Sequence, residues 1–304
     1  MAVQSVVAII NGVSVTLTLN ASTGKYEGTL TAPAASSWNE EDHKYGITVT
    51  ATDDAGNKTT VNRDDAALGD NLQVRVLEKT KPTIAITSPS SGARVTNAKQ
   101  PIVFQIRDSD SGIDIDTLTL KIDSQTAVKN GSAGMSAAAV SGGYNVTYTP
   151  QTALAEGAHT VTINVSDNDG NVATAASSSF TVDTVPPALN VSAPQNNLVT
   201  NTAKTTVSGT TSDNTSNIAS IEVFLNNVSQ GKATVSGNSW TKEITLTSGV
   251  NTIKVVATDN AGLTSTVERT VTLDTGAPVI TDVVLSKSTV AAGNTFTITV
   301  TVTD

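Results

Sequence analysis

This sequence predicts an all-β fold of tandem two-sheet sandwiches, and three observations carry the prediction. Aromatic residues make up only 3% of the chain, while Thr, Val, Ser, Asn and Ala are abundant, a composition that suits pleated, half-buried strands better than helices. Apolar and polar residues alternate in short runs that end at turns bearing Asp and Gly, the two-residue period of a strand with one buried face. The pattern recurs about every 90 to 105 residues, the length of one sandwich of some seven strands and far above the period of a solenoid or propeller repeat.

The balance of charge narrows the partners. In 304 residues, 18 Lys and Arg stand against 27 Asp and Glu, a formal charge of -9. No basic patch is available for nucleic acid or an anionic membrane surface. There is no cysteine, so neither disulfides nor thiolate zinc sites can staple the domains. The apolar run VVAII, Val6 to Ile10, is too short to span a bilayer, and no basic segment or cleavage site precedes it. The expectation is a chain without membrane insertion and without an export signal of its own, as in a mature fragment or a virion component.

Three stretches align as the end of one strand, a tight turn and the next strand: ITVTATDDAGNKTT from Ile47, VTINVSDNDGNVAT from Val161 and IKVVATDNAGLTST from Ile253. Each D-x-x-G turn needs one residue at positive φ, supplied by Gly56, Gly170 and Gly262. Upstream, TGKYEGTL, SGGYNVTY and GNSWTKEI set an aromatic residue after a glycine-bearing turn, making Tyr26, Tyr144 and Trp240 equivalent core anchors. Downstream, LEKTKP, VDTVPP and LDTGAP place Pro82, Pro187 and Pro278 where a residue without an N–H breaks the ladder and marks a linker. GSAGMSAAAVSGG reads as a flexible connection, and SSWNEEDHK (Ser36 to Lys44) and NRDDAALGDN (Asn62 to Asn71) read as polar insertions, surface decoration in the ordinary reading and unit-specific contacts in the alternative.

These turns and linkers resemble the tandem bacterial immunoglobulin-like repeats of large surface and adhesin-type proteins. The resemblance covers nearly the whole chain. It implies immunoglobulin-like β-sandwiches acting as stalks, spacers or binding modules, at the cell surface or outside the cell, with a phage virion as the alternative location.

Two repeats read as whole, 80–183 and 184–274. The first, 1–79, begins in its third strand, because VQSVVAIINGVS aligns with IASIEVFLNNVS from Ile218: Val3 falls on Ile218, Val6 on Ile221 and Ile10 on Leu225. Residues 275–304 match the two opening strands instead, and Asp304 lands on Asp108 and Asp213. The expectation is that 275–304 of one molecule completes 1–79 of another by strand addition, with Val3, Val6 and Ile10 on one side of the interface and Phe296, Ile298, Val300 and Val302 on the other. Head-to-tail contacts of this kind build a rod, ring or filament. The alternative is a spacer or binding segment of a larger adhesin or phage fibre.

In an immunoglobulin-like sandwich the B–C and F–G loops share a pole with the incoming linker. Acids gather at those places: Glu78, Asp108, Asp110, Asp167 and Asp169 for the second repeat, Asp183, Asp213 and Asp259 for the third, and Asp53, Asp274 and Asp304 for the divided one. Oxygen clusters suit calcium, and the family resemblance implies calcium-stiffened junctions. Asp and Asn are also ordinary turn residues, so turn formation alone accounts for the same sequence. No enzyme is expected: His43 and His159 sit in no triad or zinc pattern, Asp114 and Asp116 lack an aromatic cleft, and no phosphate-cradling loop is present. For a glycan or protein ligand, Trp38 is the one candidate platform.

Overall fold

The structure, a computed structural model, describes residues 2–304. It is built of strands and turns, with short 3-10 turns at Glu41–His43 and Gly69–Asn71. No helix among the described residues is long and apolar enough to cross a membrane. The chain divides into two compact units, 1–182 and 183–304.

The first repeat holds β1 (Val3–Ile10), β2 (Val13–Asn20), β3 (Lys25–Glu27), β4 (Tyr45–Asp53), β5 (Lys58–Val61) and β6 (Gln73–Val74). They form a single sheet in the order β3-β2-β1-β4-β5, with β6 also on β4. The NRDDAALGDN insertion interrupts what is one strand elsewhere: β5 and β6 pair with opposite ends of β4, at Val49↔Val61 and Tyr45↔Val74. Val6 and Ile10, expected on an open inner face, are buried instead; Ile10 packs with Tyr45, Val76, Leu30 and Ile47. For Ile10 the cover includes Leu30, from the segment after β3, and Val76, from the segment after β6. Val3, at the strand's start, stays exposed.

The second repeat holds β7 (Thr83–Ser88), β8 (Ala93–Val95), β9 (Ile102–Arg107), β10 (Ile113–Ile122), β11 (Val128–Lys129), β12 (Met135–Val140), β13 (Gly143–Tyr148), β14 (Gly157–Asp167) and β15 (Ala176–Val182). Its sheets, β12-β13-β9-β7 and β11-β10-β14-β15-β8, face each other across Ile102, Phe104, Ile106, Leu118, Leu120, Val161 and Ile163. The GSAGMSAAAVSGG stretch is not a flexible connection. Met135–Val140 forms strand β12, because Met135 and Ala137 alternate onto the core.

The third repeat repeats this plan with β16 (Ala188–Ala193), β17 (Leu198–Thr200), β18 (Lys204–Ser212), β19 (Ile218–Leu225), β20 (Val228–Lys232), β21 (Thr234–Ser236), β22 (Ser239–Thr245), β23 (Gly249–Asp259) and β24 (Thr264–Leu273). Its sheets are β16-β18-β22-β21 and β17-β24-β23-β19-β20. Trp240 is sealed in this core, whereas Tyr144 and Tyr26 are half-buried. The three aromatics keep one place relative to their turns, but Trp240 faces Gly209 while Tyr144 faces Ile106, two residues apart along the second strand. Finally β25 (Val279–Leu285) and β26 (Ile298–Thr303) pair as an antiparallel hairpin exposed on both faces.

Candidate metal centres

The same carboxylate device closes the D-x-x-G turn in every repeat. Oδ1 of the first Asp accepts the amides two and four residues on: Ala55 and Asn57 for Asp53, both at 2.9 Å; Asp169 (2.9 Å) and Asn171 (2.8 Å) for Asp167; Ala261 (2.8 Å) and Leu263 (2.9 Å) for Asp259. Turn formation therefore explains Oδ1 everywhere. The second oxygen differs. Asn57 Nδ2 donates to Asp53 Oδ2 at 2.9 Å, and Asn171 Nδ2 donates to Asp167 Oδ2 at 2.8 Å. In the third repeat Leu263 stands at that position and its side chain has nothing to donate, so Asp259 Oδ2 is sealed from solvent without a partner.

Around that oxygen the third repeat gathers a trio. Asp183, Asp213 and Asp259 each bring an oxygen within 4.8 Å of the others. Asp213 Oδ1 is occupied by the amides of Thr215 (3.1 Å), Ser216 (2.7 Å) and Asn217 (2.8 Å), which hold the loop in place. Asp183 Oδ1 accepts Val185 N at 3.2 Å, and its Oδ2 is a second sealed oxygen without a donor. A buried acceptor left unmet costs about 1–3 kcal/mol, more when charged, and neighbouring carboxylates add repulsion. Hard oxygens at this spacing fit a calcium ion, which tolerates irregular coordination, better than magnesium, which demands an octahedron.

The second repeat assembles Glu78, Asp108 and Asp167, all buried, within the same 4.8 Å. These oxygens are better provided for: Glu78 Oε1 accepts Asn171 Nδ2 at 3.0 Å, and Glu78 Oε2 accepts the amide of Thr80. Burial pushes the Glu78 carboxyl above its ordinary value, helped by its hydrogen bond with Asp167 and the charge of Asp108. This trio is supplied with donors where the third repeat leaves bare oxygens.

Asp110 and Asp169, expected among the ligands, are engaged otherwise. The amide of Ser36 donates to Asp110 Oδ1 at 2.9 Å, and Asn39 Nδ2 to the Asp110 carbonyl at 2.8 Å. Ser36 Oγ donates to Asp169 Oδ2 at 2.6 Å, Glu78 N donates to the same oxygen at 3.1 Å, and Arg75 lies 3.5 Å from Asp169 Oδ1. SSWNEEDHK is therefore not surface decoration. It bolts the first repeat to the loops of the second, with Ser36 and Ser37 buried. Trp38, the candidate glycan platform, is half-buried and stacks on His43 with ring centroids 4.0 Å apart, while Arg75 stands 5.9 Å from its ring. Asp53 serves only its own turn, and Asp274 accepts Gly276 N at 2.9 Å; among the described residues no trio forms with Asp304.

Sequence reasoning missed Ser36 and Leu263. The signal for Leu263 was present, since DNAGL breaks the Asn that DDAGN and DNDGN share.

Comparison with known proteins finds likenesses repeat by repeat. The family model of the bacterial Ig-like domain matches residues 75–184, and that of domain B of glucodextranase matches residues 187–275. Fibronectin(III)-like modules of CbhA from Clostridium thermocellum are similar at 17% identity and a TM-score of 0.39, over 63% of this chain and 94% of theirs. A structure from a 1.5-MDa bacterial ice-binding adhesin is similar at 16% identity and a TM-score of 0.29, over 90% of this chain and 87% of that one. No curated protein matches by sequence. The chain is a tandem of immunoglobulin-like repeats, of which the segment 75–184 matches the model of the bacterial Ig-like domain.

Proposed function

We propose that this chain is a non-enzymatic structural spacer of a bacterial surface or extracellular protein, and that calcium fixes its linker-facing loops. The observation that carries the reading is the pair of sealed, unpartnered oxygens, Asp183 Oδ2 and Asp259 Oδ2, beside Asp213. A cation there replaces missing donors and ties the incoming linker to both loops. Calorimetric melting in calcium and in chelator is the test. Binding to the folded state alone stabilises by about 2.7 kcal/mol at a hundredfold excess over Kd, so calcium should raise the transition of the 183–304 unit. Asp259→Asn should remove that shift. Leu263→Asn, which restores the donor the other repeats possess, should raise the melting temperature in chelator and blunt the calcium response. Transitions that coincide in calcium and chelator would overturn the reading.

A second observation favours self-association. Ile298, Val300 and Val302 are 56%, 45% and 52% exposed, whereas Ile102, Phe104 and Ile106, at the matching positions of the second repeat, are each 0% exposed. Phe296 is exposed beside them. We infer that the hairpin of one copy completes the first repeat of another, with ladder bonds supplying affinity and alternate side chains filling the core. Such a contact is heterologous and propagates into a filament or ring. Light scattering should show mass rising with concentration, and Val300→Asp should abolish the rise. A mass fixed at one chain at every concentration would sink it.

A further inference from the structure

We propose that the free edge of the first repeat, from Tyr26 to Ala32, is the line on which β26 of a second copy docks, pairing there as the second strand pairs in the complete repeats. The proposal rests on the self-association reading and names its acceptor.

In the complete repeats the aromatic strand has two neighbours, β13 lying between β12 and β9, and β22 between β21 and β18. In the first repeat β3 has one. Leu19↔Tyr26 on β2 reproduces the Val235↔Trp240 pair of the third repeat, and the other side of β3 is the edge of the sheet. The sequence continues past β3 as a strand would, since YEGTLTA from Tyr26 aligns with WTKEITL from Trp240, setting Leu30 on Ile244. Yet β22 runs to Thr245 and β3 stops at Glu27. The residues after Glu27 lack the neighbour that would make them a strand.

The apolar side chains behind this edge are already placed. Leu30 packs toward Ile10 and Ile47, and an open cleft of about 250 Å³ remains, lined by Ile10, Leu30, Thr31, Ala32, Ile47 and Val74. An unpaired edge beside an apolar cleft is a template for an added strand.

The hairpin matches the opening pairs of a complete repeat. Val279↔Thr303 and Ile280↔Val302 repeat Thr83↔Arg107 and Ile84↔Ile106, and each ladder carries one bulge on its first strand, after Ile280 in the hairpin and after Ile86 in the second repeat. The opening layer of a sandwich is thus formed with every residue of β25 and β26 exposed, and the donor proposed is a second copy. Following the third repeat, where Trp240 faces Gly209, Tyr26 would face Val300; following the second, where Tyr144 faces Ile106, it would face Val302. Either register turns the apolar face of β26 onto the cleft.

Two measurements on the full chain test this. In the unmodified protein, hydrogen exchange at the amides of residues 28–32 should slow as concentration rises. Because the chain has no cysteine, Tyr26→Cys mixed with Val300→Cys or Val302→Cys should give a disulfide between two chains, opposite residues on paired strands lying within bridging reach. Association without protection of 28–32 and without the cross-link would overturn this docking line while leaving self-association standing. A monomer at all concentrations would remove self-association and this proposal together. A cross-link that forms only inside one doubly substituted chain would overturn the second copy as donor.

Discussion

At the scale of single residues, His159 shows how a buried imidazole is retained in a wall of strands. Its Nδ1 lies 2.7 Å from Asp123 Oδ2 and its Nε2 lies 2.9 Å from the carbonyl of Ala155, so both nitrogens face acceptors, an arrangement that favours the doubly protonated ring. Burial works against that charge, but the Ala155 carbonyl and the Asp123 carboxylate outweigh it and hold the pKa above its ordinary value. Asp123 moves the opposite way: burial raises it, but the Thr160 amide and His159 win and lower it. A raised histidine stabilises the fold fully below its unfolded pKa of about 6.5, and that contribution is lost as pH rises through the folded value. The lowered aspartate contributes above its unfolded value and fails as pH falls through its folded one. Melting of the 1–182 unit should therefore weaken as pH climbs from about 6.5, and His159→Gln should flatten that slope. A slope unchanged by the substitution would refute the assignment.

Elements are governed by register and by what each strand finds opposite it. Trp240 fills the third core only because Gly209 stands opposite: a Cβ built there would lie 1.9 Å from the carbonyl oxygen of Asn190 and 2.8 Å from Trp240 Cζ2. The second repeat sets its aromatic strand two residues further along and uses Phe104 as the large side chain, with Tyr144 half-buried. Gly209→Ala should destabilise the 183–304 unit by about 1–3 kcal/mol, the usual cost of overpacking, read as a lower denaturant midpoint with an unchanged slope. An unaltered midpoint would mean that β16 and Trp240 shift at no cost. The first repeat shows the converse, since its aromatic strand has a partner on one side only and ends after three residues.

Across the whole molecule, the linker-facing loops of the second and third repeats are fixed by different means. In the second, the first repeat's own Ser36, Asn39, Arg75 and Glu78 occupy Asp110 and Asp169, and Asn171 and the Thr80 amide donate to Glu78 of the acidic trio. In the third, no such insertion exists, and the carboxylates of Asp183 and Asp259 keep sealed, bare oxygens. The calcium response is thus expected in the 183–304 unit first, although the sequence sets its densest acids in the second repeat. A formal charge of -9 makes any bound cation electrostatically welcome throughout.

Alternation, turn chemistry and internal alignment were enough to predict the strands and the tandem sandwiches, and they align β25 and β26 with β7 and β9. They also located every acid of both trios, because loops at one pole of a sandwich converge whatever their side chains. Tertiary structure alone decided which of those acids lack a partner, since that depends on burial and on a donor reaching one particular oxygen, Asn171 in one repeat and Leu263 in another. It also decided that SSWNEEDHK is a bolt and GSAGMSAAAVSGG a strand. A polar or small-residue stretch takes its structure from what lies across from it, and that partner is distant in sequence.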